Sequence, residues 1–303
     1  MSLLKQILDH LQKHPQPLKT PASSFQLARF APAFLQSSDS HKDTQETWLV
    51  YEQLLLACLC VEDDVSASKL LHTLEQRFGS QRSRIQALKG LYDEAQATDD
   101  RELVEVLRWY EKLLQEDPTN LAIEKRRIAL LTSLNRRTDA IAALVNLLSH
   151  SPTDAEAWAQ LAELYRQQGL YQQSIYSLEE VILITPNAYN IFARLGETYY
   201  IASPNDPEQL ADAVRHFCRA VELCEWYLRG WYGLRLVTGR ILKEGQGMKG
   251  KEGLDRAKTE RLYHVAGERL KTIVRRAKKG DKGWTGFDKG EVLAAEQLVK
   301  EGE

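Results

Sequence analysis

Four cysteines, seven histidines and a few acidic pairs are the residues through which this 303-residue chain could do chemistry. Cys58 and Cys60 stand two positions apart, which is not a zinc-knuckle spacing, and no matching His/Cys pair follows them. Together with Cys218 and Cys224 they lie in apolar helical context and read as reduced, buried thiols of a cytosolic protein. His216 and Cys218 share a helix, but positions i and i+2 point to different faces, so they do not form a metal or catalytic pair. The acidic pair Glu179–Glu180 sits on an amphipathic stretch and reads as a solvated face. No phosphate-binding glycine loop, nucleophile elbow or metal motif is present. The expectation is a protein that is not an enzyme, with no catalytic, cofactor-binding or metal residues.

The elements around these residues explain why chemistry is missing. Three phrases align: QEDPTN around Pro118, SHSPTD around Pro152 and LITPNA around Pro186, so the prolines recur every 34 residues. Proline lacks an N–H and disfavours helix in the residue before it, so each one ends a helix and starts a turn. A period of 34 is that of the tetratricopeptide repeat (TPR). The clearest unit runs from Ala155 to Pro186. Trp158, Leu161, Ala162 and Tyr165 fit a first helix, Gly169 the turn, and Ser174, Leu178 and Val181 a second helix closed by Pro186. Ala162 and Ser174 are small where paired helices approach closely; the larger residues fill the wedge between pairs. The next unit carries Phe192, Leu195, Gly196 and Tyr199, then Ala213, Phe217 and Ala220, with the turn-rich segment SPNDPEQ inserted between them. The aromatic stripe Trp158, Tyr165, Phe192, Tyr199 and Trp231 thus reads as repeat core and not as a ligand-binding surface.

The predicted fold is an all-α, TPR-like α-solenoid, a superhelix of antiparallel helix pairs closed by C-terminal capping helices. Residues 1–43 are expected to form a short helix followed by a Pro/Ser-rich arm, with 15–43 extended. Residues 44–245 should hold five to six helix pairs. Residues 246–303 should form a basic helical cap and tail, with a glycine-rich break at 245–253, a long helix over about 254–279 using Leu262, Val265, Ala266, Leu270 and Ile273, and a last helix near 291–299.

Composition sets the outer limits. Hydrophobic residues make up 43% and charged residues 27%, enough to build a core and too apolar for wholesale disorder. Formal net charge is −2, which gives no global drive toward nucleic acid. The longest apolar run, Leu54 to Val61, is far short of the ~20 residues that span a bilayer. No secretory signal is read at the start, and a soluble chain without a membrane span is expected. Charge is nonetheless uneven: Lys249 to Lys282 holds twelve Lys/Arg against five Asp/Glu. That stretch reads as a solvated helix, as a peripheral contact with an acidic partner or anionic lipid, or as an RNA contact.

The first helices of a TPR line its inner groove, which holds extended or helical segments of partners. The groove candidates are Lys125, Thr132, Glu163, Arg166, Asn190, Arg194, Glu197 and Tyr200, alternating in sign. A chaperone-tail clamp would use Lys125 and Arg194, but its asparagines are replaced by Ala129 and Gln160. A TPR co-chaperone adaptor for Hsp70/Hsp90 C-terminal tails is the alternative reading.

Several phrases exceed what the repeat requires: WLVYEQ (48–53), LEQRFGSQRSRIQALKGLYDEA (74–95), YEKLLQEDPTN (110–120), EAWAQLAELY (156–165) and SLEE (177–180). In order and spacing the chain resembles the fungal-type second, TPR subunits of the endoplasmic reticulum (ER) membrane protein complex. The resemblance implies a non-catalytic subunit on the cytoplasmic side of the ER membrane. Its implied partners are cytosolic segments of the complex's membrane subunits and a second cytosolic subunit, not nucleic acid. Its implied role is to support insertion of tail-anchored and multipass membrane proteins.

Overall fold

The structure, a computed structural model, describes residues 2–13, 18, 20–202, 206–243, 255–284 and 286–301. Among these every regular element is helical. The chain divides into two compact units, Met1–Ala143 and Leu144–Glu303.

The first unit opens with α1 (Leu3–Lys13), α2 (Pro21–Ala28) and α3 (Ala31–Gln36), then a 3₁₀ turn at Ser38–His41. The extended arm expected over 15–43 is therefore corrected. The prolines at 21 and 32 fall at the first two helical positions, where a missing N–H costs nothing. Thr20 and Ser23 form a reciprocal capping box at the start of α2. Leu27, Ala31 and Phe34 are fully buried. The Asp39 carboxylate accepts from the Leu4 amide at 3.1 Å and pairs with Lys42 at 2.5 Å, tying the turn to α1. Pro15 and Pro17, which follow α1, lie outside the described residues.

Next come α4 (Gln45–Cys60), α5 (Asp64–Phe78), α6 (Ser83–Gln96), α7 (Asp100–Glu116) and α8 (Leu121–Ser133). α4 packs on α5, and α6 packs on α7 and α8. Leu54, Leu55 and Leu70 form the centre of this core with Leu27 and Phe34 from the N-terminal helices. α9 (Arg137–His150) spans the division between the units.

The second unit contains α10 (Ala155–Gln167), α11 (Tyr171–Ile184), α12 (Tyr189–Ala202), α13 (Pro207–Leu223), α14 (Leu228–Lys243), α15 (Arg256–Lys279) and α16 (Lys289–Lys300). The dominant packings are α10 on α11, α12 on α13 and α14 on α15, with neighbouring pairs stacked through α11–α12 and α13–α14. The recurring turns do what the prolines imply. Asn120 and Asp154, at the ends of the EDPTN and SPTD phrases, cap the following helices by accepting from Ile123 and Ala157 amides. Gly169 takes the left-handed conformation between α10 and α11, at φ +75°. Pro186 is exposed in its turn, so it punctuates the repeat and is not part of the core as expected.

Leu161, Ala162, Leu178, Leu195, Gly196, Ala213 and Phe217 are buried as the repeat predicts. The Ser174 hydroxyl donates to the Ala162 carbonyl at 2.8 Å, which marks the close approach of α10 and α11. Phe217 explains two glycines. A Cβ on Gly196 of α12 would come within 2.9 Å of its ring, and one on Gly233 of α14 within 2.1 Å. The ring is thus seated between helices from consecutive pairs. Trp158, Tyr165, Phe192 and Tyr199 are only partly buried. Their rings close the edges of the wedge; the Trp158 indole N–H donates to the Pro152 carbonyl at 2.9 Å, and its ring meets Tyr176 edge-on.

α15 and α16 pack on α14 and cover the end of the stack, burying Ala266, Leu270, Ile273 and Ala295. Val265, expected in that core, faces outward and is 49% exposed. Its angular position on α15 lies opposite the buried stripe. The expected helix start near 254 and the glycine-rich break at 245–253 lie outside the described residues, as do positions 203–205 of the inserted segment.

Candidate partner-binding groove

In the second unit, the first helices α10, α12 and α14 present a polar cleft of about 530 Å³. It brings together five of the predicted groove residues: Glu163, Arg166, Asn190, Arg194 and Glu197. Glu163 is its hub. Its carboxylate accepts from Arg166 at 2.5 and 3.0 Å, from Arg194 of the next repeat at 2.9 Å, and from Gln167 at 3.0 Å. The Arg166 hydrogen bond is the largest cause that lowers the Glu163 pKa to about 2, against partial desolvation. Glu197 is held in turn by Arg229 of α14, at 2.9 and 3.0 Å.

These contacts reveal a regularity that the residue types alone did not. The alternation of sign along the groove is not a set of free charges awaiting a ligand. An acid on one first helix accepts from an arginine on the next: Glu163 from Arg194 and Glu197 from Arg229, 31 and 32 residues apart. The first unit contains the same device. Arg84 of α6 is bidentate on Glu52 of α4, and Arg126 of α8 grips Glu94 of α6, each 32 residues away. Buried Tyr110 donates to that same Glu94, at 2.5 Å. The signal was legible as an acid-to-arginine spacing slightly shorter than the proline period, and it would have named Arg229, which the sequence reading omitted.

Tyr200 sits beyond the polar cleft. It lines an apolar cleft of about 550 Å³ with Ile201, Leu228, Tyr232 and Leu236, bordered by Glu197, Arg229 and Glu291. The two clefts share Glu197 and Arg229, so an ion pair separates a polar section from an apolar one. Lys125 and Thr132 lie on α8 of the first unit, half-buried; the Thr132 hydroxyl donates to the Ile128 carbonyl at 2.8 Å. Arg194, one arm of the alternative carboxylate clamp, is already engaged by Glu163.

The residues considered for chemistry stay apart. His216 stacks on Tyr199 at 5.3 Å, and burial lowers its pKa. Cys58 is buried, and its thiol is pushed up to about 12 by desolvation. Cys60, expected buried, is exposed at the last position of α4, and Cys218 and Cys224 are half-buried. No cluster of three metal-ligating side chains occurs among the described residues, and no described helix is long and apolar enough to cross a membrane.

The EMC2 TPR-like repeat domain family matches residues 65–199. The TPR repeat protein oca3 of Schizosaccharomyces pombe is 31% identical over 229 residues, covering 76% of each chain. The ER membrane protein complex subunit 2 of Saccharomyces cerevisiae is 27% identical over 276 residues, covering 86% of this chain and 89% of that one. The chain belongs to the ER membrane protein complex subunit 2 family. Subunit 2-A of Xenopus laevis is 34% identical over 197 residues, which are 65% of this chain and 64% of its own length. A solved TPR protein of Cytophaga hutchinsonii superposes with a TM-score of 0.54 at 14% identity, over 80% of this chain and 89% of that one, and shows the fold alone. The subunit 2 repeat domain thus takes in the Glu163–Arg194 rung and Glu197, while Arg229 and the apolar cleft's α14 wall lie beyond it.

Proposed function

We propose that this chain is the non-catalytic scaffold subunit of an ER membrane protein complex, on the cytosolic side, where its groove holds cytosolic segments of membrane subunits. Such a scaffold would support insertion of tail-anchored and multipass proteins by keeping the membrane subunits assembled. The observation that carries the reading is the run of two adjoining clefts along α10, α12 and α14, which share the Glu197–Arg229 pair. It joins a polar section to an apolar one, as a chain segment with both kinds of side chain would require. Family membership supports the partner class. The paired charges support a ligand that inserts apolar side chains and hydrogen-bonds along the rim, in contrast to a single carboxylate tail. Of the organisation expected from the sequence, the basic helical cap over residues 246–303 is retained as part of this proposal.

The test is purification of the tagged chain from native membranes, with mass spectrometry of what stays attached. Glu163→Lys combined with Glu197→Lys should release at least one membrane subunit while helical circular dichroism is unchanged. Full retention of every subunit by that folded variant removes the groove from the reading.

A further inference from the structure

The outward ridge of α15 consists of Arg261, Val265, Glu268, Thr272, Arg275 and Lys279, spaced four or three residues apart on one helical face. The opposite face, Ala266, Leu270, Ile273 and Val274, is buried in the cap. Residues 255–282 hold ten Lys/Arg against four Asp/Glu, although the whole chain is slightly acidic. Arg261 and Arg275 have no carboxylate partner among the described residues, and Lys279 reaches Asp281 only at 3.8 Å. Beside the ridge stands an aromatic cluster. Trp226 and Trp284 meet edge-on at 5.0 Å, Trp284 stacks on Phe287 at 5.8 Å, and Arg276 lies over both indoles at 5.7 and 4.9 Å. Arg269 covers Trp226 at 5.1 Å.

We infer that this ridge is a docking face for an anionic phospholipid surface. A bilayer is a flat plane of one charge sign, and it asks for unpaired cations along one line, not for a shaped pocket. Half-buried indoles beside such cations suit the headgroup layer, which favours tryptophan. Single-stranded nucleic acid would need aromatic faces open for stacking, and here arginines lie over the indoles. Val265 places one exposed aliphatic side chain in the ridge. Proximity of a membrane rests on the proposed complex membership; the charge geometry does not.

The experiment is flotation of the purified full-length chain with vesicles of phosphatidylcholine alone or with one-third phosphatidylserine. Binding is expected only to the anionic vesicles and should fall with added salt. Each cation near such a surface contributes roughly fivefold to partitioning, so reversing Arg261, Arg275 and Lys279 to Glu should cut binding by more than about a hundredfold. No binding of the wild type to anionic vesicles, or equal binding by the folded triple variant, overturns the inference. Loss of a co-purifying subunit from the triple variant, with vesicle binding unchanged, would assign the ridge to an acidic protein surface and also overturn it. The groove variant tested by co-purification leaves the ridge intact, so failure of either reading is distinguishable from failure of the other.

Discussion

The groove and the outer ridge of the cap both carry many charges, yet they use them in opposite ways. In the groove each acid is gripped by an arginine from the following repeat, as Glu163 is by Arg194 and Glu197 by Arg229. On the ridge Arg261 and Arg275 have no such partner among the described residues. A count of charges could not separate the two regions; the pairing does. Paired charges in a partly dry cleft fix the geometry of neighbouring helices, whereas unpaired charges on a convex helix act outward at long range.

The comparison can be broken at three points. The largest effect should come from the packing beneath the groove. Phe217→Ala removes a ring that is 1% exposed and leaves a void between α12 and α14, costing roughly 3–5 kcal/mol in denaturant unfolding. A loss below about 1 kcal/mol would mean that the helices close over the void and that the glycine seats do not set their spacing.

A smaller effect is expected at the hub of the polar cleft. Glu163→Gln should cost about 1–2 kcal/mol at neutral pH, discounted for partial exposure of the pair. Its pH dependence has a definite sign. The folded carboxyl sits at about 2, below its ordinary 4.5. The stabilisation is therefore present above pH 4.5 and is lost as pH falls toward 2. The wild type and Glu163→Gln should converge in stability at the acid end of that window; a constant gap across it would show that the carboxylate's charge is not what matters.

The smallest effect on stability belongs to the ridge. Reversing Arg261, Arg275 and Lys279 to Glu should change unfolding free energy by no more than about 0.5 kcal/mol per site, since no described contact depends on them strongly. A large loss would place the ridge in the same structural class as the groove.

Much of this was legible in the residues because a 34-residue proline period fixes where helices stop, and small residues fix where they touch. Leu161, Ala162 and Leu195 were assigned to the core on those grounds and are buried there. The aromatic positions were harder. Trp158, Tyr165, Phe192 and Tyr199 have the size of core residues, but at the edge of a wedge one side of the ring remains open, and residue type does not report that. α2 and α3 were hidden by composition. Proline and serine are common in extended arms, yet Pro21 and Pro32 at the first two helical positions, and Ser23 in a capping box with Thr20, start helices. Five of the eight groove candidates share one cleft on first helices, but their pairing across repeats depends on the stagger between helices, which shows in the sequence only as an acid-to-arginine spacing slightly shorter than the repeat period.

Phe217 has one more consequence. Because its ring is seated against a glycine before it and a glycine after it, α12 and α14 share a single peg. Drawing α12 away from α14 would pull that benzyl group from one of its two seats, so the spacing of the two helices is a near-discrete property of this side-chain lock.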